Sequence, residues 1–511
     1  MPKGWERWVA IVRGCDGRMC GGALSSHPHR FLRIAHAVCR PDDTNWAWHK
    51  VPYASSDGGS LRFRGASGQD HYRYGCSFGV PPYRDMRCFV GHGDGYGVLE
   101  PDKVAAAGSA YVLYWKLTKR AALLDAALAC AAALVRNIEP GNATHSPWPF
   151  RVYAETGQVR EAYSSHVIAA VKLFDELIEL RTDNLAPPAL LTGMAEARAA
   201  AWAWMMTYPM QNQAWCNFCE DIIVQQVTPE IMANGSCNYN SITPMLVAQY
   251  MLQSSASSDA WRTHAPALLR YVEEKLVHGL NKTGEPSVAW GANTVSEQVL
   301  DVDKMSVHTM RYAATLALWA DVVTTDTGAS DVTREAVAKA QRSWDWSSYT
   351  LGSDGVVAVT PYTAGEHDTW FNIQVAVPFY TLKMMGANPL WAPPNATHLL
   401  RSTSVVTRVA IADATISYTT FDARAIDRLR VAPDFLRTGG GQPAPTLVVT
   451  AAGHALPRLS EAELRRRGAV GWAFDEASGV LDVAHNASDV RVLGGALQHP
   501  AKEEVGVVRD V

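Results

Sequence analysis

Gly91-His92-Gly93-Asp94-Gly95-Tyr96 is a polar, aromatic loop that leads into the helix-spaced stretch Asp102 to Thr118. After the break at Lys119-Arg120, a second such stretch runs from Ala121 to Ile138. Apolar residues recurring at three and four positions mark one buried helix face, and two such faces joined by a short turn make a helical hairpin. The form returns along the chain. Its further loops are Ser146-Pro147-Trp148-Pro149-Phe150-Arg151, Trp215-Cys216-Asn217-Phe218-Cys219-Glu220-Asp221, Trp290 to Glu297-Gln298, and Glu366-His367-Asp368-Thr369-Trp370-Phe371. Helical patterns follow from near residues 101, 161, 243, 305 and 372. A hairpin recurring at roughly 60–80 residues predicts an array or closed ring, with one set of loops gathered at one end.

From residue 401 the texture changes. Ser404-Val405-Val406, Val409 to Ile411, Thr415 to Phe421, Leu429 to Val431, Thr446 to Val449, Ala469 to Phe474, Val480 to Val483 and Val490 to Leu493 are short apolar, largely β-branched runs separated by turn residues. They predict a small antiparallel β-sandwich. The expected organisation is a loop-rich segment 1–90 wrapping the main domain, a helical domain 91–400, and a β-sandwich 401–511 ending in a short tail. The fold class expected is mainly α: an (α/α) toroid followed by the sandwich.

A net charge of -4 and a pI near 6.5 argue against nucleic acid as the main partner. No apolar run approaches the roughly 20 residues that span a bilayer, so no membrane partner is expected. The N-terminal residues show no signal-peptide pattern. Sequons at Asn142, Asn234, Asn281, Asn395 and Asn486, with nine cysteines, suit a secreted or secretory-pathway glycoprotein. Chance sequons and ordinary buried thiols are the other reading, and the compartment stays open, as does the oligomeric state.

The chemistry must come from the loops and from one helix. Glu220-Asp221 closes the Trp215 loop. Glycoside hydrolysis needs two carboxyl groups about 5–9.5 Å apart, and in a ring the partner comes from another loop: Asp94, Glu297 or Asp368. The alternative is that Glu220 and Asp221 cap a helix or pair with surface arginine. His308, Arg311 and Tyr312 stand at i, i+3 and i+4 on an otherwise apolar helix, where buried polar groups are costly without a purpose. Such a set can bind a uronate carboxylate and move a proton, or can simply tie two helices together. Trp148, Trp215 and Trp370 are candidates for stacking on sugar rings, and Arg151, Asn240 and His367 for polar contacts. No metal is expected: Asp301-Val302-Asp303 and Glu366-His367-Asp368 lack a matching second ligand set. No cofactor is expected either, since phosphate-cradling glycine loops are absent. Cys216 and Cys219 read as buried thiols or a disulfide rather than a redox pair.

The order of elements resembles the six-hairpin glycosidase superfamily. Several stretches are similar to a largely uncharacterised bacterial-type group within it: Ser146 to Arg151, Phe218 to Ile222, Ser296-Glu297-Gln298, His308 to Tyr312, and Ser404-Val405-Val406 to Asp422. The resemblance implies a carbohydrate substrate and an enzyme that hydrolyses a glycosidic bond. It assigns no catalytic residue. Toroid-plus-sandwich architectures also occur in polysaccharide lyases, which use His, Tyr, Arg and Asn; His308, Arg311, Tyr312 and Asn240 suit that chemistry. A non-catalytic glycan-binding toroid is the third reading.

Overall fold

The computed structural model describes residues 98–153, 157–180, 185–216, 239–253, 260–277, 288–289, 291–299, 304–348, 373–412, 414–436, 447–464, 466 and 468–494. The chain divides into two compact units, Met1–Ala387 and Asn388–Val511.

The first unit is built of helices: α1 (Pro101–Thr118), α2 (Ala121–Arg136), α3 (Ile168–Ile178), α4 (Pro188–Thr207), α5 (Ile242–Gln253), α6 (Trp261–Val272), α7 (Ser306–Thr327), α8 (Asp331–Ser348) and α9 (Ile373–Ala387). Packing follows the recurrence. Helix α1 packs on α2 and α3, α3 on α4 and α5, α5 on α6 and α7, and α7 on α8 and α9. The odd-numbered helices therefore form one inner row, each beside the next, and the even-numbered helices lie outside it. Burial agrees with this order. Helix α7 is buried all round through its first half, from Ser306 to Leu318 apart from half-buried Arg311, whereas α8 buries only one stripe, Thr333, Ala336, Ala340, Ser343 and Trp346-Ser347. A helix apolar on every side belongs inside a layer, and an amphipathic one covers it.

Local chemistry sets the helix ends. Pro101 and Pro188 occupy first-turn positions, where the missing N–H costs nothing. Lys119 takes the left-handed conformation, φ 57°, and ends α1 by donating its N–H to Trp115 O. The Glu161 to Arg181 pattern starts later than its periodicity suggests. Val159–Glu161 is a strand paired with Arg151–Tyr153, which in turn pairs with Val98–Leu99, and α3 begins only at Ile168. Helix α6 runs straight into a π-turn, Glu273–Val277.

The second unit contains two antiparallel sheets. The five-stranded one runs His454–Ala455, Val448–Ala451, Asp489–Leu493, Thr415–Thr420 and Val406–Ala412 at the edge; the four-stranded one runs Gly471–Asp475, Val480–Asn486, Arg424–Arg430 and His398–Ser402. Their inner faces share one apolar core that includes Ile416, Tyr418, Leu429, Trp472, Leu481, Val483, Val490 and Val492. Thr415–Thr420 alternates strictly, with Ile416, Tyr418 and Thr420 buried, as the two-residue period of a half-covered strand requires. The mainly helical unit followed by an antiparallel β unit is the expected fold class.

One polar group interrupts that core. His485 Nε2 lies 2.7 Å from Asp427 Oδ2, and Nδ1 lies 2.7 Å from Ala487 O and 3.1 Å from Ala423 O. Every partner is an acceptor, so both ring nitrogens carry protons and the imidazole is held as a cation against the carboxylate.

Candidate functional site

The polar side chains of the helical unit concentrate on the inner row. Asp102 lies in the first turn of α1, where the helix dipole favours a carboxylate. Its Oδ2 accepts from Lys103 Nζ at 3.0 Å and meets Nδ1 of His166, in the turn before α3, at 3.1 Å. Burial works to raise the Asp102 pKa, but the Lys103 ammonium and the His166 hydrogen bond outweigh it and hold the carboxyl well below its usual range. Burial is also the main influence on His166, and it prevails there: the pKa is lowered despite Asp102. The two directions are consistent with one arrangement, an ionised Asp102 accepting from the Nδ1–H of a neutral His166. Pro101, Asp102, Trp148, Pro149, Ser164 and His166 stand around one small cavity, with Leu134, Val167 and Ala170 completing its wall.

Two inner helices further on, His308 is 1% exposed. Its Nδ1 lies 3.5 Å from Arg311 Nη1, the outer limit of hydrogen-bond distance. Burial, then the Arg311 charge, pushes the imidazole pKa well below its ordinary value, so His308 is neutral at physiological pH. Arg311 Nε donates to the Tyr380 hydroxyl of α9 at 2.5 Å. The positive field of Arg311 also reaches His166 and Lys383, so the two clusters sense one another.

The structure divides the sequence candidates. Asp94, Glu220, Asp221, His367, Asp368 and Trp370 lie outside the described residues, and Arg151 is described only as backbone. Within the described residues, His308 and Arg311 come together, but Tyr312 leaves them. Its hydroxyl donates to Glu273 Oε1 and meets Asn293 Nδ2 at 3.0 Å, and Glu273 also takes Lys339 Nζ of α8 at 3.1 Å. Tyr380 occupies the place beside Arg311 that the sequence pattern offered to Tyr312.

Trp148 borders the Asp102–His166 cavity, but its indole N–H is tied to Leu134 O at 2.9 Å and its ring packs on Phe174. Trp215 is buried, and its carbonyl accepts from both the backbone N–H and Nδ2 of Asn240. Asn240 Oδ1 in turn accepts from Thr243 N at 2.9 Å, so Asn240 caps α5. Glu297 is 5% exposed, and its carbonyl accepts from Ser241 N. Short ladders thus bring Trp215, Asn240 and Glu297 together through backbone. Cys216 is disulfide-bonded, to a residue outside the described ones.

Asp102, His166, Tyr380, Lys383 and Gln249 escaped the sequence reading. Lys383 carried a usable signal, as the one charged residue in the apolar sequence of α9. No group of three or more His, Cys, Asp or Glu able to hold a metal occurs among the described residues, and none of their helices is long and apolar enough to cross a membrane.

No protein-family model matches the chain, and no curated protein matches its sequence. Solved structures similar to it include a crystal structure of D-mannose isomerase, at 10% identity over 71% of this chain and 80% of that one, with a TM-score of 0.41. Another is a GH127 β-L-arabinofuranosidase from Geobacillus stearothermophilus T6, at 12% identity over 96% of this chain and 80% of that one, with a TM-score of 0.31. One is a sugar isomerase and the other a glycoside hydrolase. No residue role is carried over from either.

Proposed function

We propose that this chain is a carbohydrate-active enzyme that breaks a glycosidic bond at the polar belt of its inner helices, by elimination on an acidic sugar. The observation that carries the reading is His308, a buried neutral imidazole beside a permanent cation. Unprotonated at pH 7, the imidazole is in the form that can accept a proton, although burial and Arg311 make it a weak base, and the guanidinium stabilises the negative charge that develops on the substrate. In a uronate the proton on C5 is acidified by the adjacent carboxylate. His308 takes that proton, its electron pair forms the C4–C5 double bond, and the C4–O bond breaks. Arg311 faces the carboxylate, and Tyr380, hydrogen-bonded to Arg311, is the phenol available to protonate the departing oxygen. Carbohydrate as the substrate class rests on the resemblance of the hairpin order and motifs to toroid enzymes.

Hydrolysis is the second reading, favoured by the burial of Glu297 in the loop that precedes α7. It needs a second carboxyl within about 5–9.5 Å of the first. Asp94, Glu220, Asp221 and Asp368 are the proposed partners. The disulfide at Cys216 and the exposed sequon asparagines Asn142, Asn395 and Asn486 support a secretory-pathway location.

A panel of uronate-containing and neutral glycans, read for new reducing ends and for ultraviolet-absorbing unsaturated products, tests the proposal. Elimination predicts unsaturated products that His308→Ala abolishes and Glu297→Gln spares. Reducing ends without unsaturation, lost in Glu297→Gln, would select hydrolysis. Wild-type rates in both variants on a cleaved glycan would sink both readings.

A further inference from the structure

Lys383 and Arg311 are joined by a closed circuit of contacts across three inner helices. Lys383 Nζ donates to Gln249 Oε1 of α5 at 2.7 Å and lies 4.6 Å from the centre of the Phe379 ring and 5.9 Å from that of Tyr380. Gln249 Nε2 donates to Thr315 Oγ1 of α7 at 2.8 Å, and Thr315 Oγ1 donates to Arg311 O at 2.7 Å. Arg311 then returns to α9 through the Tyr380 hydroxyl. Every acceptor in the circuit is neutral. Among the described residues, neither cation meets a carboxylate, and Lys172 on α3 adds a third positive charge to the same field.

Nearby carboxylates are committed elsewhere. Asp175 holds Arg198 and Tyr250, and Asp102 holds Lys103 and His166. Two half-buried cations that meet no counterion among the described residues are unfavourable there, because burial removes water that none of those residues replaces with an opposite charge. Both side chains keep part of their surface exposed, so a small anion can reach them. Arg311 contributes a planar fork suited to oxyanions, and Lys383 a point charge.

We propose that Arg311 and Lys383 form a clamp for an anionic substituent of the substrate, a carboxylate or a sulfate or phosphate ester, with Lys383 as a specificity-determining residue. The clamp deepens the proposed function and rests on it only for the sugar that bears the anion. Lys383 would hold the group, and Arg311 would serve both the clamp and the chemistry beside His308.

The test uses the full chain in calorimetric titrations and thermal melts with D-glucuronate, inorganic sulfate, inorganic phosphate and neutral D-glucose. At least one anion should bind and raise Tm while glucose does not. Glucuronate alone identifies a carboxylate, and sulfate or phosphate alone identifies an ester. Lys383→Met should weaken that binding tenfold or more, read against its own unliganded Tm, because the substitution removes a charge and also takes the donor from Gln249 Oε1. Lys383→Arg should retain binding within about threefold, since the charge persists. Burial, with the fields of Lys172 and Arg311, lowers the Lys383 pKa to about 8, so wild-type affinity should fall as pH rises through that value. Absence of anion binding in the wild type, or equal binding in Lys383→Met, overturns the clamp. Anion binding by a chain that cleaves no glycan leaves the clamp standing and removes the proposed function. Unsaturated products from a uronate glycan without binding of the free anions would do the reverse, and cleavage of neutral glycans without anion binding would remove both.

Discussion

Replacing Asp427 with alanine should loosen the centre of the β unit, by an amount that its hydrogen bonds make calculable. The carboxylate is fully buried and bound to an imidazole whose other nitrogen meets two carbonyls. Without Asp427 the buried Nε2–H has no acceptor from that side chain. Breaking a buried charged pair from one side costs about 3–5 kcal/mol. At about 1.4 kcal/mol per factor of ten, amide exchange governed by opening of this region should quicken roughly a hundred- to several-thousand-fold. Hydrogen-exchange mass spectrometry on peptides covering Arg424–Arg430 and Val480–Asn486 reads this directly, with the helical unit as internal reference.

The pH dependence supplies a second arm. Burial opposes the imidazolium, but Asp427 and the Ala487 and Ala423 carbonyls prevail and raise the His485 pKa. A raised histidine contributes stability that is fully present below its unfolded pKa of about 6.5 and is lost as pH climbs through the folded value. The loss should be no steeper than about 1.4 kcal/mol per pH unit, the limit for one proton. Asp427→Ala should remove most of that slope. If exchange in both peptides changes less than about fivefold, or the slope survives the substitution, the charged-pair reasoning is refuted.

Three further substitutions test the helical unit. Tyr312→Phe should cost about 0.5–1.5 kcal/mol of stability by removing one hydrogen bond from a cluster in which Glu273 keeps Lys339 and Asn293, while leaving turnover on a cleaved glycan near wild type. Tyr380→Phe should lower kcat at least tenfold with a smaller change in Tm, and the reverse pattern would return Tyr312 to the site. Asn240→Ala should lower stability by about 1–2 kcal/mol through loss of the α5 cap, measured by urea unfolding of the full chain; an unchanged midpoint would show that the cap carries no weight.

The hairpin order was legible because an inner helix, buried on every side, and its outer partner, buried on one stripe, leave different apolar patterns over many residues. The β unit was legible through its alternation, as at Thr415–Thr420. The candidate site was legible only in part, because spacing gives a shared face and not a shared destination. Arg311 and Tyr312 flank His308 on that face, but consecutive helix positions point about 100° apart. Arg311 therefore reaches α9, while Tyr312 turns to the π-turn after α6. Asn240 looked like a ligand-binding amide because a polar residue beside a loop carries no mark of whether its amide meets substrate or backbone. The Asp102–His166 contact joins residues 64 positions apart, and no periodicity encodes that separation.

The π-turn that closes α6 also holds the loop that carries Glu297. Lys304 is almost fully buried, and its ammonium donates to Leu276 O at 2.9 Å and Val277 O at 3.3 Å. Those carbonyls point at it only after α6 has ended in its wider turn. Ser296 N adds a third tie to Leu276 O, and Met305 N bonds Val295 O. The loop that carries Glu297 thus has no independent resting place. It is latched onto the hairpin of α5 and α6 by a cation from the far end of the same loop. An insertion or deletion within Glu273–Val277 would shift both carbonyls at once, and the damage would appear in the loop and not in the helix where the sequence had changed.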